Sequence, residues 1–159
     1  MLVKKAEPQH IDGIVTLLMQ IAALHRRHRP DLFKPNVAKY SRTALAALIQ
    51  DERHAVFVAL QDVNGTENVV GYCICRIDVK EGHPVMTDRK TLFIDDFCVG
   101  AARRKQGIGT QLFETAEAYA RKIGAHNIEL NVWAFNGDAL HFYRGKGFEV
   151  QKFGMEKLL

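Results

Sequence analysis

Residues 92–110 read LFIDDFCVGAARRKQGIGT, an apolar run that predicts a buried strand, followed by a basic, glycine-containing turn. Beyond the turn, apolar side chains recur every three or four residues up to Ile123, which is typical of a helix that packs on a sheet. Gly124 stands where such a helix usually ends, and residues 127–133 predict another strand. A strand, a helix and a second strand in this order indicate one right-handed crossover between parallel strands.

The rest of the chain alternates between helix-like and strand-like patterns around this crossover. We predict a strand at residues 2–7, helices at 8–28 and 38–50, an antiparallel hairpin at 55–61 and 69–79 with a turn at 64–68, a short helix from Asn136 to about Gly145, and a last strand at about 148–157. The expected fold is α/β of the mixed α+β kind, with a mostly antiparallel sheet of about six strands and helices on both faces. No repeat or break in composition divides the chain, so residues 1–159 are expected to form a single domain.

The composition is that of an ordinary globular chain and disfavours several classes of protein. The 159 residues are 47% hydrophobic and have a net charge of +4, which disfavours a disordered chain. The apolar stretch at residues 11–24 is broken by polar side chains, so we expect a soluble, cytoplasmic protein with no membrane segment. Three cysteines fit buried thiols in a reducing compartment. The single serine, Ser41, has no Gly-x-Ser-x-Gly setting, which disfavours a serine hydrolase.

The basic turn is the segment that most favours a ligand. Arg103, Arg104 and Lys105 precede Gly107 and Gly109 at the start of the strongest predicted helix. A helix N-terminus offers unpaired backbone N–H groups and a partial positive charge, and glycines let an anion approach them closely. A pyrophosphate suits this arrangement, and a solvated basic loop is the alternative. The Walker pattern and the third glycine of a dinucleotide fingerprint are absent, which disfavours both common nucleotide-binding folds.

Two motifs in this half of the chain resemble those of a known enzyme superfamily. Residues 104–109, RKQGIG, match the Arg/Gln-x-x-Gly-x-Gly/Ala pyrophosphate loop of the GNAT superfamily of acyl-CoA-dependent N-acetyltransferases. Later in the chain, the superfamily's Asn-x-x-Ala-x-x-Phe-Tyr and Gly-Phe pattern is matched by Asn136, Ala139, Phe142, Tyr143, Gly147 and Phe148. Residues 94–99, IDDFCV, look like the segment of spermidine/spermine acetyltransferases that carries a Glu-Asp pair, with Asp95 in place of the Glu. The resemblance implies a GNAT-like sheet whose central parallel strands splay apart.

The resemblance also implies that acetyl-CoA is the cosubstrate. The backbone edge at Phe97, Cys98 and Val99 would pair with the pantetheine arm like an added strand. The residues that would hold the pyrophosphate are Arg104, Lys105, Gln106, Gly107, Ile108, Gly109 and Thr110. Asn136 would hydrogen-bond the CoA arm near its reacting end, or would simply cap its helix.

Acetyl transfer to an amine needs a base, because an ammonium group must lose a proton before its nitrogen can attack a thioester. Asp95 is the first candidate for this base, directly or through water; alternatively, its carboxylate only accepts backbone hydrogen bonds. Strand alternation places Asp95 on the face of Phe97 and Val99, and Asp96 on the other face. The resemblance implies that Tyr143 is the acid that protonates the leaving thiolate, and a core tyrosine is the alternative.

The predicted activity is direct transfer of an acetyl group from acetyl-CoA to a primary amine of a small molecule or a peptide. The basic run at residues 26–34 favours an acceptor with an anionic group if the run faces the pocket, whereas Asp78, Glu81 and Asp88 argue the opposite way. A catalytically silent acyl-CoA-binding sensor or regulatory module is the alternative function.

Other partners are less favoured by the sequence. A nucleic-acid binder is a weak third hypothesis, because the net charge is only +4 and no known nucleic-acid-binding motif is present. A metal site is disfavoured, since His25 and His28 could share a helix face but no third ligand accompanies them. Superfamily members often dimerise through the C-terminal strand or the helices, and residues 148–159 have enough apolar side chains for this, so a homodimer is a further hypothesis.

Overall fold

A computed structural model describes residues 1–63 and 65–159 of the chain. The strands are β1 (Leu2–Lys5), β2 (His54–Val63), β3 (Thr66–Lys80), β4 (Arg89–Val99) and β5 (Asn127–Leu130). The helices are α1 (Ile11–His28), α2 (Arg42–Gln50), α3 (Ile108–Lys122) and α4 (Gly137–Gly145), with short 3₁₀ turns at Pro8–His10 and Ala101–Arg103. None of the helices in these described ranges is long and apolar enough to cross a lipid bilayer.

The strands form one sheet in the order β1-β2-β3-β4-β5. Neighbours from β1 to β4 pair antiparallel, whereas β4 and β5 pair parallel. The chain passes through α3 between these two parallel strands, as the sequence predicts. The mixed, mostly antiparallel sheet is therefore confirmed.

Helices cover both faces of the sheet, and each face has its own core. On one face, α1 and α2 bury Leu18 and Leu45 against strand residues that include Tyr72. On the other face, α3 buries Leu112 and Ala116 against the alternate strand residues. The two cores separate because successive side chains of a strand point to opposite faces, while each helix presents one apolar stripe.

The sheet differs from the sequence-based prediction in the number of strands and in several strand bounds: β4 begins at Arg89 rather than at residue 92, and β5 ends at Leu130 rather than at residue 133. Among the described residues the sheet has five strands rather than about six, because residues 148–159 form neither a strand nor a helix. The four residues of β5 offer too short an edge for a strand of the predicted length, and Phe153 and Met155 are almost fully exposed. In the hairpin, Asn64 lies outside the described residues, and β3 begins at Thr66, inside the predicted turn.

β4 contains one extra residue at Asp95. Ile74 of β3 pairs with Asp96 and Cys75 pairs with Ile94, so Asp95 has no partner in the register between these two strands. Such a β-bulge bends the strand and shifts the alternation of side chains by one residue. Ile94 and Phe97 therefore both pack in the core under α3, although strict alternation would place them on opposite faces.

Gly71 in β3 lets the first turn of α3 lie directly on the sheet. A Cβ atom at this position would come within 2.9 Å of Leu112 Cδ1, 3.1 Å of the Cys98 carbonyl oxygen and 3.3 Å of Ile108 Cγ2. These distances leave no room for a side chain. The contact therefore sets the height of the α3 N-terminus above β3 and β4.

We expect Gly71→Ala to destabilise the fold by about 1–3 kcal/mol, because the backbone carbonyl at Cys98 cannot move aside as a flexible side chain can. The free energy of unfolding in urea measures this loss. Gly145→Ala in α4 is the matched control, since nothing lies within 4 Å of its added Cβ atom. Equal unfolding free energies for the two variants would contradict the close packing of α3 on β3.

Candidate active site

β4 loses its parallel neighbour part-way along its length. The register with β5 begins at Thr91 and Asn127 and ends at Ile94 and Leu130. Beyond that point β4 continues to pair with β3 as far as Val99. The described part of the chain places no strand against the other edge of this segment. This edge therefore offers backbone N–H and C=O groups to an added extended chain.

The three residues predicted to bind the pantetheine arm lie on this open edge. Phe97 and Val99 pack their side chains in the core under α3. Cys98 turns to the other face, where its Sγ is 3.8 Å from the carbonyl oxygen of Leu17. Burial raises the pKa of the Cys98 thiol to about 12, so the thiol is not ionised at neutral pH. The three residues are thus placed to contact a ligand through their backbone.

The basic turn follows β4 directly. Arg104, Lys105 and Gln106 are exposed, and Arg104 Nε donates to the Val99 carbonyl oxygen over 3.3 Å. Gly107 precedes α3 with a φ of +78°, a left-handed conformation that favours glycine. A Cβ atom added to Gly107 would meet nothing within 4 Å. Open space therefore lies in front of Gly107.

The first turn of α3 borders this space. The helix's first backbone bond runs from the Gln111 N–H to the Gly107 carbonyl oxygen, so the N–H groups of Ile108, Gly109 and Thr110 precede it. The side chain of Ile108 is buried in the core, so this residue can serve a ligand only through its backbone. The structure thus brings the seven residues predicted to hold a pyrophosphate into one turn and the helix N-terminus after it, where partial positive charge favours an anion.

Asp95 and Asp96, the acid pair, lie in a hydrogen-bonded cluster where the open edge begins. Lys39 Nζ is 2.9 Å from Asp95 Oδ2 and 3.6 Å from Asp96 Oδ2. The Tyr40 hydroxyl donates to Asp95 Oδ2. The Tyr72 hydroxyl donates to Asp96 Oδ1 over 2.7 Å. Arg76 Nη1 lies 3.9 Å from Asp95 Oδ1. The pair is therefore largely shielded from solvent and is contacted by two cations and two phenols.

The two carboxyl groups of the acid pair have opposite pKa shifts. Burial raises the pKa of Asp96, and the Tyr72 hydrogen bond and the Lys39 charge offset this effect only in part. Burial acts in the same direction on Asp95, but the hydrogen bonds from Tyr40 and Lys39 outweigh it and lower the pKa. Neighbouring carboxyl groups whose environments separate their pKa values are typical of acid–base sites.

The prediction that Asp95 and Asp96 point to opposite faces of the sheet is wrong. Both carboxylates reach Lys39. Tyr72, which binds Asp96, belongs to the core under α1 and α2, whereas Phe97, whose face Asp95 was expected to share, packs under α3. The prediction rested on strict alternation, and the bulge at Asp95 breaks that alternation.

Sequence reasoning missed Lys39 and Tyr40, which both contact Asp95. They lie in the irregular segment 29–41, whereas the apolar pattern predicted a helix from residue 38. One signal was available: Ser41 caps α2, and its Oγ accepts the Ala44 N–H over 3.1 Å. A serine ahead of an apolar helix is a typical N-cap and places Lys39 and Tyr40 before the helix.

The residues of the C-terminal motif lie on α4 and at its start. The ring of Tyr143 packs against those of Phe97 and Phe148, with centroid distances of 6.1 Å and 5.4 Å. Burial raises the pKa of the Tyr143 hydroxyl, so the phenol is protonated at neutral pH and can donate a proton. Asn136 caps α4 by accepting the Ala139 N–H over 3.2 Å, as the sequence predicts. The structure thus brings Tyr143 next to Phe97 on the open edge.

An aromatic cluster joins the end of α1 to the loops after α1 and β5: His25, His28, Phe33, Trp133 and Phe135. The ring of His28 stacks on that of Phe135 with a centroid distance of 4.7 Å, and the ring of Trp133 stacks on it with a centroid distance of 5.9 Å. Burial lowers the pKa of His25. The charges of Asp96 and Lys39 also shift this pKa, in opposite directions, which indicates that the cluster lies near the acid pair. Trp133 is 43% exposed, which shows that the cluster reaches solvent.

Two arginines of the basic run at residues 26–34 contact other groups of the chain. Arg26 donates to the carbonyl oxygen of Phe33 over 2.6 Å. Arg29 pairs with Asp31 at 2.7 Å and with Glu156 of the C-terminal segment. These contacts hold the loop between α1 and α2, so Arg26 and Arg29 lend no support to an anionic acceptor.

Known proteins resemble this chain in sequence over the region just described. Residues 21–148 match the sequence model of the acetyltransferase (GNAT) family. The chain belongs to this family. The matched range contains the acid pair, the open edge, the basic turn and α4, so these features lie within the GNAT portion of the chain.

Solved structures share the GNAT fold. The tetramutant of the BH1408 protein from Bacillus halodurans is 31% identical to this chain and has a TM-score of 0.94, with 100% of both chains covered. The aminoglycoside N-acetyltransferase AAC(6')-Iy in complex with CoA has a TM-score of 0.70 over 99% of this chain and 98% of its own. Its sequence identity is 14%, so the likeness is one of fold alone.

Curated relatives match over part of their length. The uncharacterized N-acetyltransferase MJ1207 of Methanocaldococcus jannaschii is 32% identical over 114 residues, which are 72% of this chain and 47% of that protein. The chain spans about half the length of the curated relatives that it matches.

We expect Tyr40→Phe to destabilise the protein by about 1–2 kcal/mol at neutral pH, because it removes a hydrogen bond to an ionised carboxylate. Because folding lowers the pKa of Asp95, its ionised carboxylate stabilises the fold at every pH above the ordinary pKa of an aspartate. This stabilisation is lost as the pH falls through the lowered pKa. The effect of the substitution should therefore shrink below about pH 4.

Urea unfolding at neutral and acidic pH measures this dependence. Tyr119→Phe is the control, because Tyr119 lies on α3 and packs against the core on the face of the sheet opposite the acid pair. A destabilisation by Tyr40→Phe that does not change with pH would contradict the account of Asp95.

Proposed function

We propose that this chain is an acetyl-CoA-dependent N-acetyltransferase that moves an acetyl group directly onto a primary amine. The observation that carries the proposal is the order of three features along β4: the acid pair, the open edge at residues 97–99 and the basic turn. CoA thioesters have a matching order of a reacting end, an extended amide-containing arm and a pyrophosphate. Membership of the GNAT family and the CoA complex of AAC(6')-Iy support this donor.

The residues between the basic turn and the acid pair have the chemical groups that such a donor needs. The exposed Arg104 and Lys105 would hold the pyrophosphate together with the α3 N-terminus, and the open space at Gly107 would admit it. Backbone groups of residues 97–99 would pair with the arm as an added strand. Asn136 follows β5, the strand that stops pairing with β4 where the open edge begins. Its amide group would bind the arm from that side.

Bound acetyl-CoA supplies the thioester from which the acetyl group is transferred. Asp95 takes a proton from the acceptor's ammonium group, directly or through water, and so frees the nitrogen lone pair for attack. The nitrogen of the tetrahedral intermediate loses its second proton to solvent. Tyr143 donates its proton to the departing sulfur and is restored from solvent. An acceptor that displaces Lys39 keeps one positive charge on the acid pair, so the pair need not lose its counter-charge when substrate binds.

The proposed acceptor is a primary amine of a small molecule or a peptide. The acid pair attracts a cation at the start of the open edge. The aromatic cluster lies near the pair and offers ring faces on which a cationic or apolar part of the acceptor can rest. AAC(6')-Iy is named as an aminoglycoside N-acetyltransferase, which supports a small-molecule amine as an acceptor for this fold.

A catalytically silent acyl-CoA-binding module is the second candidate. One observation favours it: Lys39 already binds Asp95, so an ammonium group of the chain itself occupies the position proposed for the acceptor. The turnover experiment below separates the two functions.

We also propose that two copies associate through the C-terminal segment. Val150, Phe153, Met155 and Leu158 are exposed large apolar side chains on this segment. Gln151 contacts Glu129 of β5, the last strand of the sheet, so the segment runs near a sheet edge. Apolar side chains exposed together are typical of association surfaces. Sedimentation at micromolar concentration that finds a monomer alone would remove this proposal.

We expect Gly107→Ala to remove most of the thermal stabilisation by acetyl-CoA, because the added methyl group would enter the space of the pyrophosphate. Acetyl-CoA at a hundred times its Kd should stabilise the unchanged protein by about 2.7 kcal/mol. Gly82→Ala is the matched control, since Gly82 also has a positive φ, +63°, and open space at its added Cβ, but lies between β3 and β4.

The matched pair separates backbone strain from loss of the ligand site. Both variants should unfold with a free energy lowered by about 1 kcal/mol, as expected for a left-handed alanine. Only Gly107→Ala should also lose its response to acetyl-CoA and CoA. A full response in Gly107→Ala would contradict the assigned pyrophosphate site.

We expect Asp95→Asn and Tyr143→Phe each to slow CoA release from acetyl-CoA, measured with a panel of primary amines, by about 100-fold or more. Acetyl-CoA should still raise the Tm of both variants, since neither side chain holds the pyrophosphate. Asp12→Asn, at an exposed residue paired with Arg42, and Tyr119→Phe are the matched controls and should keep the rate. Binding of acetyl-CoA without CoA release by the unchanged protein, whatever the amine, would establish the silent module instead.

A further inference from the structure

Lys39 places a primary amine of the chain itself at the proposed acceptor position. Its Nζ is 2.9 Å from Asp95 Oδ2 and donates to the Asp95 carbonyl oxygen over 2.8 Å. It is also 3.6 Å from Asp96 Oδ2. The ammonium group of Lys39 thus binds the side chain and the backbone of the residue proposed as the base.

The backbone contact locates Lys39 relative to the open edge. Asp95 is the bulged residue, and the pairing of β4 with β5 ends one residue earlier, at Ile94. In the proposed function the donor's arm runs along residues 97–99 from the basic turn, so its reacting end comes last, next to Asp95. An amine held on the Asp95 carbonyl oxygen therefore lies where the acyl donor's arm ends.

The contact is not simply a buried structural ion pair. The Lys39 side chain is 44% exposed, so solvent and a ligand can both reach it, whereas that of Asp95 is 13% exposed. Lys39 belongs to the irregular segment 29–41 rather than to a helix or a strand. A flexible side chain on a loop can make the small displacement that attack on a carbonyl carbon requires.

We infer that Lys39 is a self-acetylation site, modified by the chain's own active site when no external amine displaces it. The inference rests on the proposed function. A bond forms between the acetyl carbonyl carbon and Lys39 Nζ, and the thioester C–S bond breaks. Lys39 Nζ loses one proton to Asp95 before it attacks and a second from the tetrahedral intermediate, and both protons pass to solvent. The leaving sulfur takes a proton from Tyr143, which solvent reprotonates. The products are acetyl-Lys39 and CoA.

Acetylation of Lys39 changes the active site that performs it. The amide product has no positive charge, so the acid pair loses the cation that Lys39 supplies. A cationic amine would then meet a more negative site with no competing ammonium group. External amines present from the start should compete with Lys39 and slow its modification.

The test is the incubation of purified full-length protein with acetyl-CoA, followed by intact-mass analysis and peptide mapping. We expect one acetyl group per chain, on Lys39, at a rate about 100-fold or more above that of Lys34. Lys34 is the internal control because it is exposed in the same segment 29–41. The rate constant should not depend on protein concentration, since donor and acceptor belong to one chain.

Two variants show whether the active site performs the modification. Lys39→Arg should take up no acetyl group, whereas Lys34→Arg should be acetylated at Lys39 like the unchanged protein. Asp95→Asn should slow acetylation at Lys39 and leave the slow spontaneous reaction of Lys34 unchanged. Equal rates at Lys34 and Lys39, or a Lys39 rate that Asp95→Asn does not alter, would overturn the inference.

Failure of this inference can be told apart from failure of the proposed function. If Lys39 stays unmodified while external amines are acetylated, the self-acetylation is wrong and the transferase activity stands. If neither Lys39 nor any external amine is acetylated although acetyl-CoA binds, both are wrong and the silent module is correct.

Discussion

The active-site arrangement depends on one extra residue in β4, inserted where β5 stops pairing with it. The bulge at Asp95 shifts the alternation of β4, which turns both acids of the pair towards the segment that carries Lys39 and Tyr40. The end of pairing at Ile94 leaves the adjacent backbone edge free. A regular strand paired along its whole length would have buried this edge and separated the two carboxyl groups. A local irregularity thus produces the acid pair and the open edge together.

The acid pair is stable because its neighbours compensate two adjacent negative groups. Lys39 and, at 3.9 Å from Asp95, Arg76 supply positive charge, and the hydroxyl groups of Tyr40 and Tyr72 each bind one carboxyl group. The same neighbours set the pKa of Asp95 below and that of Asp96 above the ordinary value. An incoming ammonium group can replace Lys39 because it offers the same charge and the same hydrogen bonds. The contact that stabilises the empty site therefore resembles the one that a substrate would make.

The sequence predicts the parts of the structure that have a strong local pattern. The period of α3, the glycine that ends it at residue 124 and the glycine-containing turn before it need no tertiary information, and each lies close to its predicted position. The bulge at Asp95 was not predictable, because it arises from register with β3. The contacts of Lys39 with the acid pair join residues far apart in the chain, so no local pattern encodes them. The last strand was wrongly predicted because alternation alone does not provide a partner edge.

The most direct test of the account is amide hydrogen exchange, followed residue by residue with NMR, in the presence and absence of acetyl-CoA. The account predicts slower exchange for outward-facing amides at residues 97–99 and for Ile108, Gly109 and Thr110, because the donor would bind these groups. Amides between β2 and β3, which are paired already, should change little. Saturating acetyl-CoA that leaves exchange at 97–99 unchanged, or that protects a different surface, would contradict the claim that the open edge of β4 binds the donor.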